Sequence, residues 1–419
     1  MENESNKKHY NPYIVFCIIF SNFVVLLIVL NMALFFLYFS IDVYRQRNAP
    51  AYPQVNSDYF RQAFPYLSEA ELKEFNEEHR RTMQIFEPFV GYKPVQYDWK
   101  GNIVDPSQSK YTKINPNGYR EIKNQSAWPV NTKDINIFFF GGSTAFGYGT
   151  PFDRTIASYL QEFMRSSIHQ TINIYNFGRT GYTSTQERLL FEDLLLKGNI
   201  PTIALFFHGL NDSFVHNQEG MDIQYIERYE KYDASTNRAY ILNNTLTIRG
   251  RCENMILALN YLPMKRLADS LKYGLGLASP LEKTQAHVVD SDSKRRQRYE
   301  RLSVNQDWID HIALKYRVST LHIIQPIPVY KYDIQYHFLS SVPGDYFSRF
   351  YDGPFVFYRD ILENSEIRKR QNVLWLADIQ ENMRRNLYVD DCHYTAEFNQ
   401  ILAEEIGKKV LKLLFQDTH

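Results

Sequence analysis

The stretch Ile135-Asn136-Ile137-Phe138-Phe139-Phe140-Gly141-Gly142-Ser143-Thr144 decides the reading of this chain. Its start is a short apolar run, the pattern of a strand buried on both faces of a parallel sheet. Its end is a glycine turn carrying a serine, with Gly147 and Gly149 close behind. Glycines let the backbone turn sharply and let a substrate approach. Ser143 is expected at the switch from strand to helix, exposed, near a helix N-terminus that favours developing negative charge. The spacing is neither a G-x-S-x-G elbow nor a phosphate-binding loop, which would need Gly-Lys-Ser/Thr. Taken alone, a tight turn with a capping serine explains the motif equally well.

Outward from this point the chain alternates strands and helices. Thr155–Ile168 reads as a helix and Thr171–Asn176 as a second strand. Ser184 and Glu187 are placed to cap a helix running to about Lys197, and Thr202–Phe207 is a third apolar strand. A helix with the basic run Lys294–Arg298 leads to a fourth strand, Ser319–Ile324, and Val373–Ala377 is a fifth. The last helix, 395–415, sets Phe398, Ile401, Leu402, Ile406, Val410 and Leu413 on one face. Such alternation predicts an α/β fold, a parallel sheet with helices on both sides. Ligands of these sheets bind at the carboxyl ends of the strands. The section 213–290 is too long for a plain connection and is expected to form a cap or lid.

Strand ends therefore carry the chemistry. The second strand ends in Asn176-Phe177-Gly178-Arg179-Thr180-Gly181-Tyr182, and Gly181 can present its backbone N–H to an oxyanion. The third ends in Gly209-Leu210-Asn211-Asp212, where the Asn211 amide can donate to the same oxygen. Acyl transfer needs such donors where charge develops, each worth about 10²–10³ in rate. Singly, each block reads more readily as an ordinary turn; their succession after consecutive strands is the informative part. Asp390-Asp391-Cys392-His393 precedes the final helix. A serine nucleophile needs a base, and the base an orienting group. His393 suits the first role, because imidazole titrates near neutral pH. Asp390, three residues earlier, suits the second; Asp391 is an alternative, and both aspartates are also candidate helix caps.

Gly-Gly-Ser-Thr, the block ending in Gly181, Gly-Leu-Asn-Asp and Asp-x-x-His occur in the order seen in the SGNH/GDSL hydrolases, and the chain resembles that family over about 135–212 and 319–416. The resemblance implies a three-layer sandwich around a five-stranded parallel sheet of flavodoxin-like type. It implies Ser143 as nucleophile, Asp390 and His393 as its triad partners, and Ser143 N–H, Gly181 and Asn211 as the oxyanion hole. No metal or organic cofactor is called for. One departure stands out: the family often has Asp before the serine, where this chain has Gly142.

The N-terminal part reads differently. Residues 14–39 are apolar and uncharged, broken only by Ser21, Asn22, Asn31 and tolerated aromatics. About 20 such residues cross a bilayer core, whereas the apolar part of a cleaved signal peptide is about 7–15 residues. A transmembrane signal anchor over 13–41 is expected behind a short tail at 1–12, with the lipid bilayer as partner. Tyr13, Tyr38 and Tyr44 suit the interfacial belts. Lys7 and Lys8 before the run balance Arg45 and Arg47 after it, so orientation rests on the usual role of single N-terminal anchors, which places the large domain outside the cytoplasm. Residues 42–131 are read as a tether and an irregular extension, with one helix capped by Ser68 and Glu71 and carrying Leu72, Phe75, His79 and Met83. The hydrolase domain is assigned to 132–419.

Composition narrows the function further. Lys+Arg and Asp+Glu are 47 each, so no basic surface points to nucleic acid. Aromatic residues make up 15%, which leaves open both sugar stacking and plain compositional bias. Cys17 sits in the apolar run; Cys252 and Cys392 are candidates to pair in an oxidising compartment. Asp290-Ser291-Asp292 starts like a calcium loop, but Arg295 stands where the turn needs glycine. The expected activity is hydrolysis or transfer at an oxygen ester. Two substrates compete: an acylated envelope polysaccharide, to be deacetylated or transacetylated, and a membrane lipid ester. A catalytically silent envelope scaffold is the reading from another class.

Overall fold

The computed structural model of the chain describes residues 11–48, 63–98, 102–214, 263–274, 292–341, 346–347, 350–363 and 365–416. Two units emerge: Met1–Gln54 with Ala234–Ala286, and Val55–Asp233 with His287–His419. Strands β1 (Thr82–Glu87) and β2 (Gly91–Gln96) form an antiparallel hairpin. Strands β3 (Ile135–Gly141), β4 (Ile172–Asn176), β5 (Ile203–His208), β6 (Ser319–Ile324) and β7 (Val373–Trp375) form one parallel sheet in the order β4-β3-β5-β6-β7.

Side-chain alternation along β3 explains the layers. Ile137 and Phe139 face the helices Ile156–Ser167 and Ala396–Gln416, among Leu160, Met164, Phe398 and Leu402. Phe138 and Phe140 face the helices Ser184–Leu196 and Asp292–Tyr316, among Phe191, Leu194 and Ile309. Both faces being covered, every residue of β3, β4 and β5 is buried, which is why these strands read as unbroken apolar runs. The fold is thus the expected three-layer α/β sandwich with five parallel strands. Its order reverses between β3 and β5, so the carboxyl ends of these strands border a topological switch point.

Several local expectations change. The helix Glu69–His79 is capped by Ser68 and Glu71 as anticipated, but it ends before Met83, which lies on β1 and is exposed. The extension also holds the β1–β2 hairpin where irregular structure was anticipated. The helix Ser184–Leu196 is capped one residue earlier than expected: Gln186 Oε1 accepts from the Thr183 N–H at 3.2 Å. Ser184 and Glu187 are drawn elsewhere, to Asp212 and His208.

In the other unit, the segment Pro12–Ile41 of the helix Pro12–Asn48 is long and apolar enough to cross a membrane. Its Asn31 is fully engaged: Nδ2 donates to Leu27 O at 2.9 Å and Oδ1 accepts from Met264 N at 3.1 Å. The latter bond satisfies an N–H at the start of the helix Pro263–Gly274. Of the anticipated cap at 213–290, only 213–214 and this helix fall within the described residues, and Cys252 lies outside them.

Candidate active site

The turn that carries Ser143 is built by close packing. Gly141 closes β3, Gly142 follows in extended conformation, and Ser143 opens a single helical turn, Ser143–Phe146. The turn is too short to carry the helix dipole anticipated from the sequence, and Ser143 is half-buried rather than exposed. A Cβ on residue 142 would lie 2.2 Å from Asn211 Nδ2. The Asn211 amide thus occupies the space that an aspartate before the serine would need, and Gly142 follows from that approach.

The four blocks meet at the ends of β3, β4 and β5. Arg179 N donates to Gly141 O at 2.9 Å, and Asn176 Nδ2 to Ala145 O at 2.9 Å, tying the second block to the serine turn. Gly181 adopts φ +80°, a left-handed conformation that glycine takes without strain. Asn211 Nδ2 donates to Tyr182 O at 2.8 Å, and the amide carries a second N–H. Asp212 accepts from Ser184 N at 3.1 Å and so pins the following helix.

The last block reaches this point from the far end of the chain. Ser143 Oγ lies 2.7 Å from His393 Nε2, and His393 Nδ1 lies 2.6 Å from Asp390 Oδ2. A carboxylate at Nδ1 holds the ring proton there, which leaves Nε2 as acceptor toward the serine hydroxyl. Of the two neighbouring aspartates, it is Asp390 whose carboxylate meets the ring. Its Oδ1 accepts from the N–H groups of Cys392, at 3.0 Å, and of His393, at 2.8 Å. Burial alone would raise the Asp390 pKa; the His393 ring and these donors outweigh it and hold the carboxyl at about 2.

Several neighbours carry no sequence signal of their own. Tyr148 lies with its ring 4.7 Å from that of His393 and 4.4 Å from that of His79. Burial, reinforced by the Arg120 charge, lowers the His79 pKa to about 3, so this second histidine is neutral. Arg120, wholly buried, donates to the carbonyls of Phe146, at 2.9 Å, Gly147, at 2.6 Å, and Thr150, at 2.5 Å. Their only sequence mark is a place in the extension or just past the glycine turn. Asp390, Cys392 and His393 bring ligand-type atoms within 4.8 Å of one another, a grouping able to hold a metal ion. Both ring nitrogens of His393 are, however, already engaged by Asp390 and Ser143.

No family model matches the chain, and no curated protein does. Solved structures do. The esterase EstA from a Pseudoalteromonas species is 13% identical, with 67% of this chain and 99% of that one covered and a TM-score of 0.33. A member of the lipolytic protein G-D-S-L family from Veillonella parvula is 10% identical, with 68% and 99% covered and a TM-score of 0.35. The lipase/acylhydrolase from Enterococcus faecalis is 11% identical, with 66% and 94% covered and a TM-score of 0.35. By name, these three neighbours are an esterase, a lipolytic protein of the G-D-S-L family and a lipase/acylhydrolase.

Proposed function

We propose that the chain is a serine esterase or acyltransferase acting on an oxygen ester. The observation that carries this is the continuous path from Ser143 Oγ through His393 to Asp390, with separations of 2.7 and 2.6 Å. In the reaction, His393 Nε2 takes the Ser143 proton as Oγ attacks the ester carbonyl. The oxyanion is received by the Ser143 and Gly181 N–H groups and the Asn211 amide. His393 returns the proton to the leaving alcohol. Water, or an acceptor hydroxyl, then attacks the acyl-enzyme with His393 again as base.

The close approach of His393 to Ser143 argues against a silent scaffold. For the substrate, our reading is an acylated envelope polysaccharide, deacetylated or transacetylated outside the cytoplasm by a protein held through Pro12–Ile41. It rests on the anchor and on the carbohydrate-active members of the family resembled. Aromatic content gives it little weight, because Tyr119, Tyr175 and Tyr182 are buried in the core. The same anchor favours a membrane lipid ester as the second reading.

Labelling with a fluorophosphonate, wild type against Ser143→Ala, tests the nucleophile before any substrate is known. The wild type is expected to label and the variant to lose at least about 10³-fold in rate. Equal labelling of both would overturn the assignment. Acetylated polysaccharide and phospholipid, offered to the labelling-competent protein, then separate the two substrates by which one releases its acyl group.

A further inference from the structure

A peptide bond holds its C=O and N–H pointing in opposite directions. The N–H of Gly181 and the C=O of Thr180 belong to one such bond, so whatever grips Thr180 O fixes where the Gly181 N–H points. Two side chains of the hairpin grip it. Tyr92, on β2, donates its hydroxyl to Thr180 O at 2.7 Å, and Gln84, on β1, donates Nε2 to the same oxygen at 3.4 Å. We infer that the hairpin of the N-terminal extension is a working part of the active site: Tyr92 and Gln84 are positioning residues that set, and polarise, the oxyanion-binding peptide Thr180–Gly181. This deepens the esterase reading and rests on the role given there to Gly181.

The surroundings make the grip rigid. The Tyr92 hydroxyl lies 2.8 Å from the place a Cβ on Gly181 would occupy, so the phenol stands directly behind the glycine. The Tyr92 carbonyl accepts from Arg179 Nη1 at 2.7 Å and from the Tyr182 hydroxyl at 2.6 Å. Arg179 is buried and pairs with Glu87 at the end of β1. The residues on either side of Thr180–Gly181 are therefore both bolted to β2. Tyr92 and Tyr182 also pack edge to face, their rings 5.0 Å apart. The hydroxyl bond matters electronically as well as sterically. A donor on the carbonyl draws charge through the peptide and strengthens its N–H as a donor. Preorganised donors gain their effect because they need not reorient as charge develops.

The test is Tyr92→Phe in the full-length protein, assayed with a short acyl reporter ester. One oxyanion donor is worth about 10²–10³ in rate, and a bond behind it a fraction of that. A fall in kcat of about tenfold is expected, with KM within about twofold, because the oxyanion exists only in the transition state. The Gly181 amide ¹⁵N resonance is expected to move upfield as Thr180 O loses a donor, while Tm moves by no more than about 3 °C. Gln84→Leu should act in the same direction and more weakly. A Tyr92→Phe protein with wild-type kcat and an unmoved Gly181 resonance would overturn the inference. So would a loss in which KM and Tm shift along with kcat, the mark of a purely structural role. The resonance keeps the two readings apart: an upfield move in Tyr92→Phe supports the hairpin's grip even if Ser143 proves unreactive.

Discussion

Among the described residues are two aspartate–histidine pairs, and they differ at the ring nitrogen that points away from the carboxylate. In Asp390–His393 that nitrogen meets the hydroxyl of Ser143, at a strand end, with the histidine side chain 13% exposed. In Asp310–His322 the bonded atoms are 3.0 Å apart, but the far nitrogen meets His208 Nε2, also at 3.0 Å, inside the sheet. His208 in turn pairs with the buried Glu187 at 2.8 Å. The second pair is thus one end of a four-membered chain, Glu187–His208–His322–Asp310, that crosses β5 and β6 between two helices. Bonding distance between carboxylate and imidazole is common to both pairs. What separates them is whether the other nitrogen faces a hydroxyl at the strand ends or another ring in the core.

Swapping carboxylate for amide should break this symmetry most sharply. Asp390→Asn leaves the shape but presents the wrong tautomer to the serine, and kcat is expected to fall by about 10⁴. Asp310→Asn should leave kcat within about twofold; a comparable loss there would mean the buried chain feeds the reaction. Stability should sort the histidines the other way. His322→Phe strands the inward-facing nitrogen of His208, while Asp310 keeps its bonds from Thr320 and Asn372, at a cost of about 3 kcal/mol, or roughly 6–12 °C in Tm. His393→Ala, at a more open position, should shift Tm by less than about 3 °C. Thermal melts of both variants decide it.

The gentlest probe is pH. Burial, opposed by Asp310, lowers the His322 pKa to about 4, and burial likewise lowers His79 and His337 to about 3. The unfolded chain, with histidines near 6.5, then binds more protons than the folded one between those values. Stability should therefore fall as pH drops below about 6.5, by up to ~1.4 kcal/mol per pH unit for each histidine. Asp390, held at about 2, keeps its charge through that window, and its own share is lost only as pH falls from about 3.8 toward 2. His208 runs opposite: burial would lower it, but Glu187 draws it up, so its share is present below about 6.5 and lost as pH rises through the raised value. Melting curves from pH 7 to 5 should show the slope in the wild type and a shallower one in His322→Phe. An unchanged slope would remove His322 from the account.

Much of the sheet was legible because burial on both faces writes a strand as an uninterrupted apolar run, as in Ile135–Phe140. The site blocks were legible because glycine turns at strand ends must be followed by the groups that use them. What stayed hidden depends on partners distant in sequence. The Ser184–Glu187 spacing fits a cap as well as Thr183–Gln186 does; only the pull of Asp212 and His208 chooses between them. The hairpin escaped notice because β1 is nowhere buried and β2 carries Lys93 and Pro94, so neither strand alternates cleanly. Gly142 departs from the family pattern for a reason no local sequence carries: the Asn211 amide, distant in the chain, fills the space beside it.

Arg120 bears on where the protein can be divided. Its guanidinium holds the carbonyls that follow the serine turn, its main-chain N–H bonds Asn176 O at 2.9 Å, and burial lowers its pKa to about 9. It belongs to the extension, not to the stretch that begins at the first sheet strand. A protease cutting between residues 48 and 63 would part the chain between the apolar helix and a body that keeps Tyr92, Arg120 and the five-stranded sheet together, leaving the Asn31–Met264 bond as a non-covalent tie to the helix. A cut at 131, where the sequence divides, would leave a sheet with Ser143, Asp390 and His393 in place but stripped of the groups that hold both the serine turn and the Thr180–Gly181 peptide.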